Sequence, residues 1–177
     1  MAEKLTFDLF GGRTLHIAYF RDVKNSATLR QATVDKQIDV ALINAQLVVD
    51  RFSIHAASAR ALLCDQQSRL TTKSLHAELV FNMSGSRNVT ESFRRFGVDD
   101  KCSSLVVCIF DADEATVQTT LALVEGTITP VDELGQHLTP ADVKLLRKYY
   151  KIQDQELTAS SLADAVTCRI ATKSCSK

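Results

Sequence analysis

The seven residues Ser104-Leu105-Val106-Val107-Cys108-Ile109-Phe110 are the most apolar run in the chain and the feature that most limits its fold. A run this short with no polar alternation has the length of a strand and the composition of one buried on both faces. It predicts an interior strand. Cys108 lies inside that run, so its thiol is expected to be buried and inert.

Elements flanking the run alternate between strand and helix. Leu5–Phe10 and Thr14–Phe20 are rich in aromatic and β-branched residues and are joined by Gly11-Gly12-Arg13, which predicts an antiparallel hairpin. Asn25 or Ser26 is positioned to cap a short helix to Val34, and Asp39–Ile43 reads as a short buried strand. Asp50 is a natural N-cap for a helix in which Phe52, Ala56, Ala59 and Leu63 fall on one face, and that face is expected to pack on the sheet.

The stretch from Lys73 to Gly97 reads as strand, turn and helix. Leu75, Ala77, Leu79, Phe81 and Met83 alternate with other residues, the period of a half-buried strand. Gly85-Ser86-Arg87 turns the chain. Asn88 with Glu91 three residues on forms a capping signal, and Gly97 stops the helix. Further on, Asp111 to Glu114 starts a helix carrying Val117, Leu121 and Val124, ended by Gly126. Thr139-Pro140 opens another, and a last helix runs from about Ser160 to Thr172. The order predicts one α/β domain over residues 1–177, a mixed β-sheet packed by helices with a helical carboxyl end.

A chain of 177 residues with 45% hydrophobic content is the size of one domain. Its 21 basic and 21 acidic residues cancel, so no global field draws it to nucleic acid or an anionic membrane, and any RNA contact must be local or shared with a partner. The amino terminus has no secretory-type apolar run and no stretch has membrane-spanning length, which predicts a soluble intracellular protein with no membrane partner. The five cysteines, Cys64, Cys102, Cys108, Cys168 and Cys175, lack a Cys-x-x-Cys pair, which speaks for reduced thiols over a disulfide framework or zinc site. His16, His55, His76 and His137 are scattered one per element, the pattern of surface or strand histidines. Phosphate-loop, dinucleotide, nucleophile-elbow and zinc-protease motifs are all missing, so no cofactor or metal is expected.

The best local candidate for binding is the polar turn. Ser84, Ser86, Arg87 and Asn88 gather hydroxyls, a guanidinium and an amide in one place, with Lys73 at the start of the same element. Its competing structural role is to satisfy turn and cap backbone groups, with Arg87 solvated.

Five blocks in order carry a family resemblance: Phe20-Arg21-Asp22-Val23-Lys24-Asn25; Leu42-Ile43-Asn44 with Val48-Val49-Asp50; Glu78-Leu79-Val80-Phe81-Asn82-Met83-Ser84; Phe96-Gly97-Val98; and Asp164-Ala165-Val166 through Cys168 to Lys173. Together they resemble the PRPK-binding protein family, TPRKB, over essentially the whole chain. The resemblance implies a non-catalytic subunit of the KEOPS (EKC) complex, cytoplasmic and nuclear. Such a subunit binds the complex's atypical kinase, an ATPase, and meets the other subunits indirectly. It supports N6-threonylcarbamoyladenosine modification of tRNA. Archaeal relatives also hold the tRNA 3′ end, and their Ser-x-x-Arg-Gln turn corresponds here to Ser84-x-x-Arg87-Asn88. The resemblance thus points to Ser84, Arg87 and Asn88 for tRNA, with Lys73 joining them from the local reading, and the apolar late-helix residues Leu162, Val166 and Ile170 are the expected kinase contacts. Two other classes stay open at this point: a free-standing RNA-binding module, and a small enzyme using Cys64 or a converging cluster of histidines and acids.

Overall fold

The computed structural model describes residues 2–175. A five-stranded antiparallel sheet has the order β1 (Glu3–Phe7), β2 (Arg13–Arg21), β4 (Ser104–Phe110), β3 (Ala41–Asn44), with β5 (Thr127–Thr129) pairing β2 beyond the end of β1. The predicted hairpin is present: Gly11 and Gly12 adopt φ of 70° and 77°, left-handed values that glycine takes without strain. Residues Asp8–Phe10 leave the strand for a single 3-10 turn.

β4 is the interior strand its composition predicts, flanked by β2 and β3. Val106, Cys108 and Phe110 face one core with Leu15, Ile17, Tyr19 and Ile43. Leu105, Val107 and Ile109 face a second core with Ala18, Phe20 and Leu42. Helices α2 (Arg51–Gln66), α3 (Leu75–Met83), α6 (Pro140–Tyr150) and α7 (Leu162–Ala171) supply the first layer. Helices α1 (Ser26–Val34) and α5 (Glu114–Leu121) supply the second. The α4 helix (Val89–Phe96) follows α3 and buries Phe96 in the first core. The α/β class therefore holds, as three layers.

Its sheet is antiparallel throughout the described pairs where a mixed one was expected. β2 and β3 are both antiparallel to β4, so the crossover through α1 does return the chain in the parallel sense. β4 is wedged between the two, and the parallel pair never forms.

Three further expectations are corrected. Leu75–Met83 is a helix, not a strand. Leu75, Leu79 and Met83 recur at four-residue spacing as well as in the two-residue pattern, and His76, Glu78 and Leu79 to Met83 are all buried. A segment buried on nearly every side has no polar face to separate the two periods. Ser74 decides the outcome locally by capping the first turn, its Oγ accepting from the Ala77 amide at 3.2 Å.

In α2 the Asp50 cap forms as predicted, with Oδ1 accepting from the Ser53 amide at 2.7 Å. The buried face, however, is Ser53, Ile54, Ala57, Ser58, Ala61 and Leu62, on a helix that packs between α3 and α7. Two apolar faces compete on this helix, and Ser53 and Ser58 can be buried because their hydroxyls return to backbone carbonyls within the helix, Asp50 and Ile54. The stripe expected to be core is left outward. At α1, neither Asn25 nor Ser26 caps with its side chain: Asn25 binds the backbone of Leu123 and Glu125, and Ser26 donates to the Asp100 carbonyl.

Candidate functional site

Because Leu75–Met83 is helical, Lys73 and the Ser84–Asn88 turn lie at opposite ends of α3, about 14 Å apart at 1.5 Å per residue. The turn closes an α3–α4 hairpin and is stitched internally. Ser84 is buried, and its Oγ accepts from the Ser86 amide at 3.0 Å. Ser86 Oγ donates to Glu91 at 2.6 Å and accepts from the Asn88 amide at 3.2 Å, and Asn88 Oδ1 accepts from the Glu91 amide at 3.0 Å. The predicted cap thus forms, with its reciprocal bond moved from Asn88 to Ser86. The Ser86 hydroxyl holds the Glu91 carboxyl below its usual range, helped by Arg95 and Arg94. Among the four residues singled out, Ser84 and Asn88 spend polar atoms on the turn. Arg87 and Lys73 are the exposed cations.

The turn is braced from below at the carbonyl end of α3, where helix geometry leaves backbone acceptors without intrahelical donors. Tyr150 of α6 donates its hydroxyl to the Met83 carbonyl, and Lys173 donates to the Phe81 carbonyl. Lys173 is only 3% exposed, with Nζ 3.2 Å from the Phe81 ring centroid. Burial pulls its ammonium down to about 7, Arg60 adds to that, and Glu78 opposes it. Glu78, also buried, anchors the loop before α3 by accepting from the Thr71 and Thr72 amides and the Thr72 hydroxyl.

Residues after α7 reach the turn itself. Arg87 Nη2 donates to the Ser174 carbonyl at 3.2 Å, and Arg60 Nη1 donates to the Ala171 carbonyl at 3.0 Å and to Ser174 Oγ at 3.4 Å. Arg60, Tyr150 and Lys173 were not among the site residues read from the sequence. Lys173 ends one of the five resemblance blocks, whereas nothing in the local pattern around Arg60 marks it.

At the other end of α3, Lys73 borders a groove of about 860 Å³ between α1, β3 and the α3–α4 hairpin, with Val34, Leu42, Val80, Phe93 and Arg94 also on its walls. His76 sits under it. Its Nε2 accepts from the Phe110 amide at 3.0 Å, so the proton is on Nδ1, which meets Asp39 at 2.9 Å. Burial lowers its pKa while Asp39 opposes. This histidine is a buried brace between α3 and β4, neither a surface nor a strand residue. Among the described residues no three His, Cys, Asp or Glu side chains form a metal-holding group. No described helix is long and apolar enough to cross a membrane. Burial raises the Cys64 and Cys108 thiols, the direction opposite to nucleophile activation.

Of the three late-helix residues, Val166 and Ile170 are fully buried in the first core and Leu162 is part-buried against it. They hold α7 in the first core and leave little surface for a partner. The apolar surface lies next door, on the outward stripe of α2: Phe52 is 59% exposed and Leu63 43%, with part-buried Ala56 and Ala59 between them. Leu9, 92% exposed, lies in the 3-10 turn beside the same helix. Helix α7 packs directly against α2.

Comparison with known proteins matches this arrangement to one family. Residues 20–174 match the family model described as kinase binding protein CGI-121. A zebrafish (Danio rerio) protein named EKC/KEOPS complex subunit TPRKB is 35% identical over 170 residues, covering 94% of each chain. EKC/KEOPS complex subunits CGI121 from Yarrowia lipolytica and cgi121 from Aspergillus fumigatus are each 35% identical, covering 77% and 78% of this chain and 78% and 76% of their own. The braced α3–α4 hairpin and the helices packed around it fall within the matched residues, and the chain belongs to the CGI-121 family of kinase-binding proteins.

Proposed function

We propose that this chain is a non-catalytic subunit of the KEOPS (EKC) complex, working in cytoplasm and nucleus. In this reading it binds the atypical kinase, an ATPase, and supports N6-threonylcarbamoyladenosine modification of tRNA by helping to hold the 3′ end. The observation that carries the reading is the match along 94% of the chain to 94% of a relative named as a subunit of that complex. The family description, kinase binding, names the partner.

The outward α2 stripe is the surface best suited to the kinase. Phe52 and Leu63 are large apolar groups left in water, and the alanines between them let a partner helix or strand approach closely. Leu162 borders this surface through α7, while Val166 and Ile170 support it from the core. For tRNA, Arg87 supplies a guanidinium suited to a phosphate, Lys73 a second cation at the far end of α3, and Ser84 and Asn88 hold the turn that presents Arg87.

The test is reconstitution. Mixed with the kinase, the chain is expected to form a one-to-one complex, and its omission from the assembled complex is expected to lower threonylcarbamoyladenosine formation. Arg87→Glu is expected to weaken tRNA binding by the assembly and leave kinase binding intact. No kinase complex would sink the reading. Tight, steeply salt-dependent tRNA binding by the isolated chain would instead favour a free-standing RNA-binding module.

A further inference from the structure

Two arginines from separate parts of the fold converge on one residue of the carboxyl-terminal segment. Arg87, in the α3–α4 turn, donates to the Ser174 carbonyl oxygen, and Arg60, on α2, donates to the Ser174 hydroxyl. The carbonyl and hydroxyl oxygens of one serine lie four bonds apart, farther than the two oxygens of one phosphate, which share a phosphorus, but both pairs are acceptors on a single small group. Two guanidiniums that reach both of them can therefore grip one phosphate together. The neighbouring acid, Glu78, is committed through Oε2 to three donors from Thr71 and Thr72, so that oxygen is not turned on the arginines.

The segment that fills this place is held by the two arginines on Ser174 and, most deeply, by one buried side chain. Beyond α7, residues 172–175 continue as a turn, with the Thr172 amide on the Cys168 carbonyl and the Cys175 amide on the Thr172 carbonyl. Lys173 is the anchor, inserted against the Phe81 ring and carbonyl. If Lys173 leaves, the Phe81 carbonyl still accepts from the Ser84 amide at 3.2 Å, so α3 keeps its end.

We propose that Arg60 and Arg87 form one composite phosphate site for the RNA backbone, with Ser174 occupying it as an internal stand-in, so that RNA and the carboxyl-terminal strap compete for the same two guanidiniums. The proposal rests on the tRNA-contact reading of Arg87 and adds to it a second binding residue and a competitor within the chain.

The experiment measures tRNA binding by the assembled complex at fixed salt for the full chain, Arg60→Gln, Arg87→Gln, the double variant and Lys173→Gly. Kinase co-purification and thermal melting serve as checks on assembly and folding. Each single arginine variant is expected to weaken tRNA binding about tenfold, and the double by well under a hundredfold, because the two share one phosphate. Lys173→Gly removes a positive charge yet is expected to tighten binding severalfold by freeing the strap. Weakening by Arg87→Gln with Arg60→Gln silent overturns the composite site and leaves the tRNA reading standing. If both are silent, the tRNA reading falls with it. Fully additive losses, or unchanged binding in a folded Lys173→Gly chain whose strap amides exchange freely, overturn the shared occupancy.

Discussion

Replacing Tyr150 with Phe tests whether the turn is braced through the carbonyl end of α3. The hydroxyl donates to the Met83 carbonyl where both residues are buried, so water cannot replace it. A buried acceptor deprived of its donor costs about 1–3 kcal/mol. The ring itself is unchanged: it keeps its edge contact with Phe96, with centroids 5.6 Å apart, and continues to cover Gly85. No cavity opens, and the loss is therefore expected near 2 kcal/mol, without the larger penalty of a truncated core. For a chain of this length that corresponds to a fall in Tm of about 4–8 °C. Denaturant unfolding at neutral pH measures it, with Tyr149→Phe as the control. Tyr149 is half-buried beneath the Arg95 guanidinium at 4.3 Å, a ring contact that Phe retains, and its change is expected within about 0.5 kcal/mol. Hydrogen exchange adds a local readout: amides of residues 84–88 are expected to lose protection in Tyr150→Phe before the central strands do. Equal stability in the two variants, or a loss spread evenly over β2 and β4, would refute the bracing.

Docking of the strap is expected to tighten with rising pH. Lys173 is held at about 7 when buried against Phe81, with Arg60 and Glu78 facing it, and returns towards 10.5 when released. The released form binds the extra proton between those values, so docking gains stability as pH rises from 7 and is flat below, up to about tenfold per pH unit. Exchange protection of residues 172–175, corrected for intrinsic rates, checks this between about pH 7 and 9, and a decline would contradict it. Alkylation of the native chain is expected to modify Cys168 and Cys175 first, since both are exposed. Cys64 should follow slowly, and Cys102, whose thiol burial pushes up to about 11, should react with Cys108 only on unfolding. Mass spectrometry resolves the order, and early labelling of Cys108 would contradict the packing of β4.

Elements whose sequence signal is local were readable in advance. The buried run at Ser104–Phe110, the glycine hairpin at Gly11-Gly12, and the caps at Asp50, Asn88 and Thr139 each depend on a few neighbouring residues, and all appear where expected. The failures came where tertiary context chooses between locally equal options. Leu75–Met83 fits both periods because it is buried nearly all round, and α2 has two apolar faces of which only one is buried. The site suffered in the same way. Arg87 was legible as a basic residue in a polar turn, but its convergence with Arg60 on Ser174 joins positions far apart in the chain, and no spacing rule records that. Reading Leu162, Val166 and Ile170 as one apolar face was correct in pattern. Two of the three proved to be core, because such a pattern reports the buried side of a helix more often than a docking side.

The exposed stripe of α2 is expected to be the surface through which this chain binds the kinase. Phe52→Asp with Leu63→Asp places two charges on side chains that are 59% and 43% exposed, so the fold is expected to melt within a few degrees of the unmodified chain. The measurement is the dissociation constant for the purified kinase. The unmodified chain is expected to bind one to one, and the double variant at least a hundredfold more weakly, the loss that follows from burying unpaired charge in an apolar contact. A folded double variant that binds the kinase as tightly as the unmodified chain would contradict the assignment of this face, and an unmodified chain that does not bind at all would contradict the kinase-binding role itself.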